Sequence, residues 1–277
     1  MRRLAGVLGS VLVALSLSAC SSTGESAATK TAFAPEAPAG SAASFLSPGG
    51  GSLSGRTIRV RSVSDIRLGP KEVVLTFDDG PMPGRTDKVL SILSAHGVKA
   101  TFLMVGQMAN AYPATARKVA AAGHSIGSHT QNHANLRGLG RDAAMAQIEK
   151  GRQSIAGALG PSANRQANFF RFPYLADTAE LRRQLALQNI VVIDADIDSK
   201  DYFPSSPEQV KERTLSRLGA RGSGIILFHD IHARTAAMLP GFLAELRKRG
   251  YKVVHLAPGF GGGGPLVASL GDAPDAR

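Results

Sequence analysis

The sequence predicts an α/β fold, a distorted (β/α)7-type barrel forming a single catalytic domain, and three observations carry that expectation. Short apolar, β-branched runs alternate with longer stretches of helical period. Alternation of this kind builds a parallel sheet with helices packed outside it. Five of the seven main strand runs end in charged or metal-binding side chains, and in a parallel barrel those ends share one face. A doubly wound open sheet is the alternative architecture.

The elements follow in order. Residues 1–19 hold Met1-Arg2-Arg3, an apolar run from Leu4 to Leu17 and then Ser18-Ala19 before Cys20. A basic start, a short apolar segment and small residues describe a secretory signal, and the run is too short for a permanent membrane span. Residues 20–56 are rich in Ser, Ala, Gly, Thr and Pro and read as a flexible tether. The domain is expected over 57–257, with a peripheral strand candidate at 57–63. Its strands are expected at 73–78, 100–105, 124–129, 169–173, 190–197, 224–229 and 252–256. Helices are expected at 86–95, 114–122, 142–159, 178–187, 207–218 and 234–249. Pro113 and Pro207 stand near helix starts, and Gly97, Gly123 and Gly250 follow helix ends. Residues 258–277 read as a Gly-rich disordered tail.

Composition narrows the function. The chain has 277 residues, 43% of them hydrophobic, and a net charge of +11. A basic surface suits acidic glycans or anionic lipid. No basic run is interleaved with aromatics, so no nucleic-acid partner is expected, and nothing points to an obligate protein partner. With no Trp, a carbohydrate platform built on Trp stacking is excluded; with one Cys, so is a disulfide framework.

The strand ends carry the chemistry. His129 and His133 are four apart, so on one helical turn both imidazoles could share a divalent ion. Thr130 follows the first His, so the pair brings no Glu as base and the carboxylates must come from elsewhere. Asp78-Asp79 supplies them: Asp79 completes a site of two His and one carboxylate, and Asp78 takes the proton from the water that attacks. Such a metal would polarise a carbonyl and lower the pKa of water. Zinc is the expected ion, although Co2+, Ni2+ or Mn2+ suits similar ligands. His229 is the candidate general acid for the leaving group. Arg171 and Asp201 would orient a carboxylate and an imidazole behind these groups. Other readings remain open at this level: a turn carboxylate before Gly80 for Asp78, a helix cap for His229, and a plain ion pair for Arg171 with Asp201.

Five segments in order, Thr76-Phe77-Asp78-Asp79-Gly80, His129-Thr130-Gln131-Asn132-His133, Arg171-Phe172-Pro173-Tyr174, Asp198-Ser199-Lys200-Asp201-Tyr202 and Leu227-Phe228-His229, resemble the motifs of the polysaccharide deacetylases. This is carbohydrate esterase family 4, with its NodB-homology domain, and the resemblance covers about residues 70–256. It implies a distorted (β/α) barrel with one zinc-like ion that removes N- or O-acetyl groups from polymeric sugars. By position it implies Asp78 as base, and Asp79, His129 and His133 as metal ligands. It likewise implies Arg171 orienting the base, Asp201 orienting the acid His229, a Tyr174 backbone N–H at the oxyanion and Leu227 under the acetyl methyl. Tyr202 departs from the family, which commonly has Trp there. His96, His124 and His255 fall outside the motifs and read as structural; His232 is unassigned.

Leu17-Ser18-Ala19-Cys20 resembles the bacterial lipobox, which implies lipidation of Cys20, a membrane anchor and an exported protein of the cell envelope. In a Gram-negative cell, Ser21 after the Cys implies the outer membrane. The expected partner is an acetylated polysaccharide: an N-acetylglucosamine polymer such as peptidoglycan, chitin-like oligomers or exopolysaccharide, or else acetylated xylan. Two other functions compete, a non-catalytic glycan-binding surface lipoprotein and a related amide or imide hydrolase. All of Asp78, Asp79, His129, His133 and His229 are present, which favours the enzyme.

Overall fold

The computed structural model describes residues 51–259. The signal at 1–19, Cys20, the tether up to residue 50 and the tail from residue 260 lie outside the described residues. Nine strands and seven α-helices follow one another in the described chain. They are β1 (Ser54–Val60), β2 (Glu72–Asp78), α1 (Arg85–Ala95), β3 (Thr101–Met104), α2 (Gly106–Ala111), α3 (Pro113–Ala121), β4 (Ser125–Ser128) and α4 (Arg141–Leu159). Then come β5 (Gln166–Phe170), α5 (Ala179–Leu187), β6 (Val191–Val192), β7 (Ile197–Asp198), α6 (Pro207–Arg221), β8 (Gly224–His229), α7 (Ala233–Lys248) and β9 (Lys252–Pro258).

Every recorded strand pairing is parallel. β2 has β3 on one side and β8 on the other, with β9 joining at its first residues Glu72 and Val73. Beyond β3 the order runs β4, β5, β6. β7 pairs with β8, so the segment from Val191 to Asp198 leaves β5 at one end and meets β8 at the other. That crossing makes a nearly closed barrel. It also splits the expected strand 190–197 in two, because one segment pairs with different neighbours at its two ends. β1 pairs only with β9. It begins at Ser54, ahead of the expected domain start at 57, because its register with β9 opens at Ser54 opposite Val253. The short helix α2 had no expectation in the sequence.

Alternation along β2 decides what points where. Val73, Leu75 and Phe77 pack outward with the helices, among them Leu93, Val119, Leu239 and Phe242. Val74 points inward with Leu103, Phe169, Ile193, Ile225 and Leu256. Thr76 and Asp78 share the parity of Val74, so Asp78 ends the strand facing the barrel interior. Phe77 stacks between Phe102 and Phe228 at 5.1 and 5.8 Å. The helices begin where the chemistry specifies: Ser206 and Gln209 form a capping box with Pro207 at the first position, and Thr178 Oγ1 accepts from Leu181 N–H. α6 ends at Gly222, whose φ of 88° a side chain would resist.

Phe77→Ala removes a fully buried ring from between two others. We expect it to cost about 3–5 kcal/mol, read as a shift of the denaturant unfolding midpoint.

Candidate active site

The strand register brings the functional side chains together. Asp78 is the Cα partner of His229 across β2 and β8, and Thr76 of Leu227; Asp198 on β7 pairs with Leu227. At this end of the barrel a cleft of about 330 Å3 is lined by Asp78, Asp79, His129, His133, Tyr174, Asp198, Tyr202, Leu227 and His229.

Asp79 leaves β2 with φ 76°, which turns its carboxylate away from that of Asp78. His129 follows β4, its N–H donating to Met104 O at 2.8 Å. His129 and His133 do not sit on a helical turn, as the spacing suggested. Thr130 (φ 69°) and His133 (φ 60°) are left-handed instead. For a β-branched residue such as Thr130 that conformation costs about 1–2 kcal/mol. The turn still directs both rings at Asp79: its Oδ1 lies 3.6 Å from His129 Nε2 and 3.4 Å from His133 Nε2.

These three residues fit a metal ion on their own chemistry. Their ligand atoms all lie within 4.8 Å of one another. Asp79 Oδ1 is buried without a hydrogen-bond partner, a costly state for a carboxylate oxygen unless a cation completes it. His129 Nδ1 donates to Arg171 O at 2.8 Å, leaving an Nε2 lone pair toward Asp79. Burial pushes the His129 pKa down to about 3, against the pull of Asp79, so the ring is neutral, free to offer a lone pair, and its contact with Asp79 is no ion pair.

Behind them lies Arg171, 1% exposed and nevertheless charged. Its Nη1 donates to Asp78 Oδ1 and to Thr76 Oγ1, both at 2.8 Å. Its Nε donates to Ile193 O at 2.8 Å and its Nη2 to Asp194 O at 3.1 Å. Burial raises the Asp78 pKa above the usual carboxylate range, with Arg171 and His229 pulling the other way. On the far wall His229 Nδ1 donates to Asp201 Oδ1 at 2.7 Å, while His229 N–H and Thr235 Oγ1 donate to Asp201 Oδ2. Burial alone would lower the His229 pKa, but the Asp201 bond and charge outweigh it and carry it to about 9.

The remaining expected residues surround the opening. Tyr174 is 67% exposed, has φ 60° and meets the His133 ring edge-on at 4.6 Å. Tyr202 stands edge-on to His229 at 5.4 Å. Its hydroxyl donates to Asp198 Oδ2 at 2.8 Å, and burial with that bond raises its pKa to about 12. His232 lies 5.7 Å from the His229 ring and precedes α7. Of the other histidines, His124 Nδ1 accepts from Ala100 N–H and His255 Nε2 bonds Ser125 Oγ, both remote from the cleft.

The sequence places Asp198 and Asp230 at strand ends but gave neither a role. Asp230 directly follows His229 and is buried with Oδ1 unpartnered; its Oδ2 accepts from Thr86 Oγ1 at 2.5 Å. Burial lifts its pKa to about 7. It touches the Asp79 loop so closely that a Cβ on Gly80 would stand 2.2 Å from its carboxyl. A carboxylate placed right after a strand-end His was the available signal.

The model of the polysaccharide deacetylase family matches residues 65–193. The chain is 31% identical over 193 residues to a peptidoglycan-N-acetylglucosamine deacetylase of Listeria monocytogenes, which aligns 69% of this chain with 39% of that protein. It is 32% identical over 221 residues to a chitin deacetylase of Colletotrichum lindemuthianum, covering 74% of this chain and 82% of the other. The solved peptidoglycan deacetylase of Bdellovibrio bacteriovorus matches with a TM-score of 0.65 at 35% identity, over 76% of this chain and 58% of that one. The chain thus spans well under half the length of the Listeria relative.

The His229–Asp201 pair makes stability depend on pH. His229 has a folded pKa of about 9 against an ordinary value of 6.5, so its contribution is complete below about pH 6.5 and is lost as pH rises through 9. We expect the stability difference between the metal-free protein and its Asp201→Asn variant to shrink by a few kcal/mol between pH 6 and 10, read by denaturant unfolding.

Proposed function

Since the chain belongs to the polysaccharide deacetylase family, we propose that it is a metal-dependent hydrolase that removes acetyl groups from an N-acetylglucosamine polymer. The single observation that carries this is the buried, unpartnered Asp79 Oδ1 facing two imidazole nitrogens beside an Arg-held carboxylate. Peptidoglycan or a chitin-like oligomer is the proposed substrate class, because the relatives above carry those names; an acetylated xylan is the ester counterpart. Asp79, His129 and His133 would hold the ion, and two imidazoles with one carboxylate favour zinc. When bound, the ion supplies Lewis acidity that polarises the acetyl carbonyl and makes water a better nucleophile.

The chain's own groups do the proton work. Asp78 accepts a proton from the attacking water, and its raised pKa makes it a better base than an exposed carboxylate. Arg171 holds that carboxylate through the bond from its Nη1 to Oδ1. His229, held protonated by Asp201, gives a proton from Nε2 to the departing sugar nitrogen as the carbon–nitrogen bond breaks. Acetate and a free amine leave. Tyr174 would turn its backbone N–H to the oxyanion, with Leu227 under the acetyl methyl. Tyr202 walls the cleft where Trp is common. Its hydroxyl is tied to Asp198, so the wall presents a polar edge.

We further propose that Cys20 is lipidated, so that the enzyme works at the cell envelope, in the outer membrane or periplasm of a Gram-negative cell. The support is the Leu17-Ser18-Ala19-Cys20 sequence.

The test is acetate release by the full chain, stripped of metal and reloaded with zinc, on chitin oligomers, peptidoglycan and acetylated xylan. Metal-dependent release from an N-acetylglucosamine polymer is expected; a protein that binds one metal and releases acetate only from xylan would reverse the substrate assignment. Asp78→Asn should retain metal while losing about 10^2–10^4-fold in turnover, and His129→Ala should lose both. Metal content by mass spectrometry and acetate release separate the two.

A further inference from the structure

The turn that carries both histidines is held by a helix that contributes no ligand. Gly151 of α4 is buried, and the peptide between Thr130 and Gln131 occupies the place of its missing side chain. A Cβ there would lie 2.5 Å from the Thr130 carbonyl carbon, 2.6 Å from its oxygen and 2.9 Å from Gln131 N. All three are backbone atoms, which cannot swing aside as the end of a flexible side chain can. On its other side the turn meets α2: Gly106 N–H donates to Thr130 O at 2.9 Å and Gln107 N–H to Gln131 O, in the next peptide, at 2.8 Å. The two helices close on it tightly, since a Cβ on Gly106 would stand 2.8 Å from Gly151 Cα. Ser154, on the same face of α4, donates to Gln131 Oε1 at 2.8 Å and accepts from Asn110 Nδ2 at 3.0 Å.

We propose that Gly151 and Ser154 are positioning residues for the metal site, setting the spacing of the His129 and His133 rings by clamping the peptide between them. The inference rests on the reading of Asp79, His129 and His133 as a metal site, and assigns that site a determinant on a helix that supplies no ligand. The clamped peptide begins one residue after His129 and ends two before His133. A shift of a few tenths of an ångström there moves both Nε2 atoms relative to Asp79. Thr130 holds its left-handed φ with an unpartnered buried hydroxyl, so its own side chain does not fix the turn. Metal affinity is sensitive to supporting contacts of this kind.

Gly157 supplies the control within the same helix: it is exposed, and a Cβ there meets nothing within 4 Å. The full-length chain is stripped of metal and titrated with zinc against a competing chelator, for wild type, Gly151→Ala, Ser154→Ala and Gly157→Ala. Melting of the metal-free proteins and the visible spectrum of the cobalt-loaded ones are recorded beside it. Gly157→Ala should bind zinc as wild type does, and melt no lower because Ala favours a helix over Gly. Gly151→Ala should bind about 10–100-fold more weakly with an altered cobalt spectrum, and Ser154→Ala a few-fold more weakly with unchanged melting. Folded Gly151→Ala and Ser154→Ala that bind zinc within about twofold of wild type, with unchanged cobalt spectra, would overturn the proposal. If Gly151→Ala does not fold, Ser154→Ala decides by the same criterion. A wild-type chain that takes up no metal would overturn the metal-site reading first, and the clamp with it.

Discussion

The guanidinium of Arg171, buried inside the barrel, is the constraint on which the rest of this structure depends. A buried cation is tolerated only when its charge is matched and its donors are used, and here each donation has a consequence. The bond to Asp78 fixes the carboxylate at the end of β2. The bonds to Ile193 O and Asp194 O fall in the gap between β6 and β7. There the chain gives up β5 before it has met β8, so strand pairing cannot satisfy those carbonyls. Arg171 thereby helps close the barrel. Its own carbonyl accepts a hydrogen bond from His129 Nδ1–H, which sets the tautomer of that ring. One residue after β5 links closure of the fold, the carboxylate and the candidate metal site.

Two histidines with β2 and β3 between their strands are driven in opposite directions by what their Nδ1 atoms face. His129 meets a neutral carbonyl, and burial strips its charge. His229 meets the Asp201 carboxylate, which burial makes a stronger partner because no water screens it, and the ring keeps its proton. A neutral imidazole can give a lone pair to a metal; a charged one can give a proton to a leaving group. The two buried carboxylates of the cleft are themselves held, Asp78 by Arg171 and Asp201 by Thr235 and the His229 N–H. The cleft is therefore arranged before substrate arrives, which is the economical way to stabilise a transition state.

Much of this was legible in the amino-acid order. The strand-ending residues Asp78, Asp79, His129, Arg171 and His229 interrupt apolar runs whose length and alternation mark them as buried parallel strands. A charged residue there needs a reason, and function is the usual one. The cleft gathers the expected residues for that cause. Less legible were features that depend on a second chain segment. The strand at Val191–Val192 and the one at Ile197–Asp198 read as a single run, because composition cannot say that their partners differ. The His129–His133 spacing reads as helical, whereas packing against α2 and α4 imposes a turn with left-handed residues. Asp230 adjoins a predicted site residue, yet its contact with Gly80 follows only from the β2–β8 register.

By itself, then, the sequence determined which side chains exist to do chemistry and at which strand ends they stand, because hydrophobic period and strand length are local properties of the chain. Tertiary structure alone decided the protonation of His129 and His229, the tautomer of the His129 ring and the shape of the turn that carries it. Those depend on burial and on the one partner within hydrogen-bond reach, and that partner always comes from a segment distant in sequence.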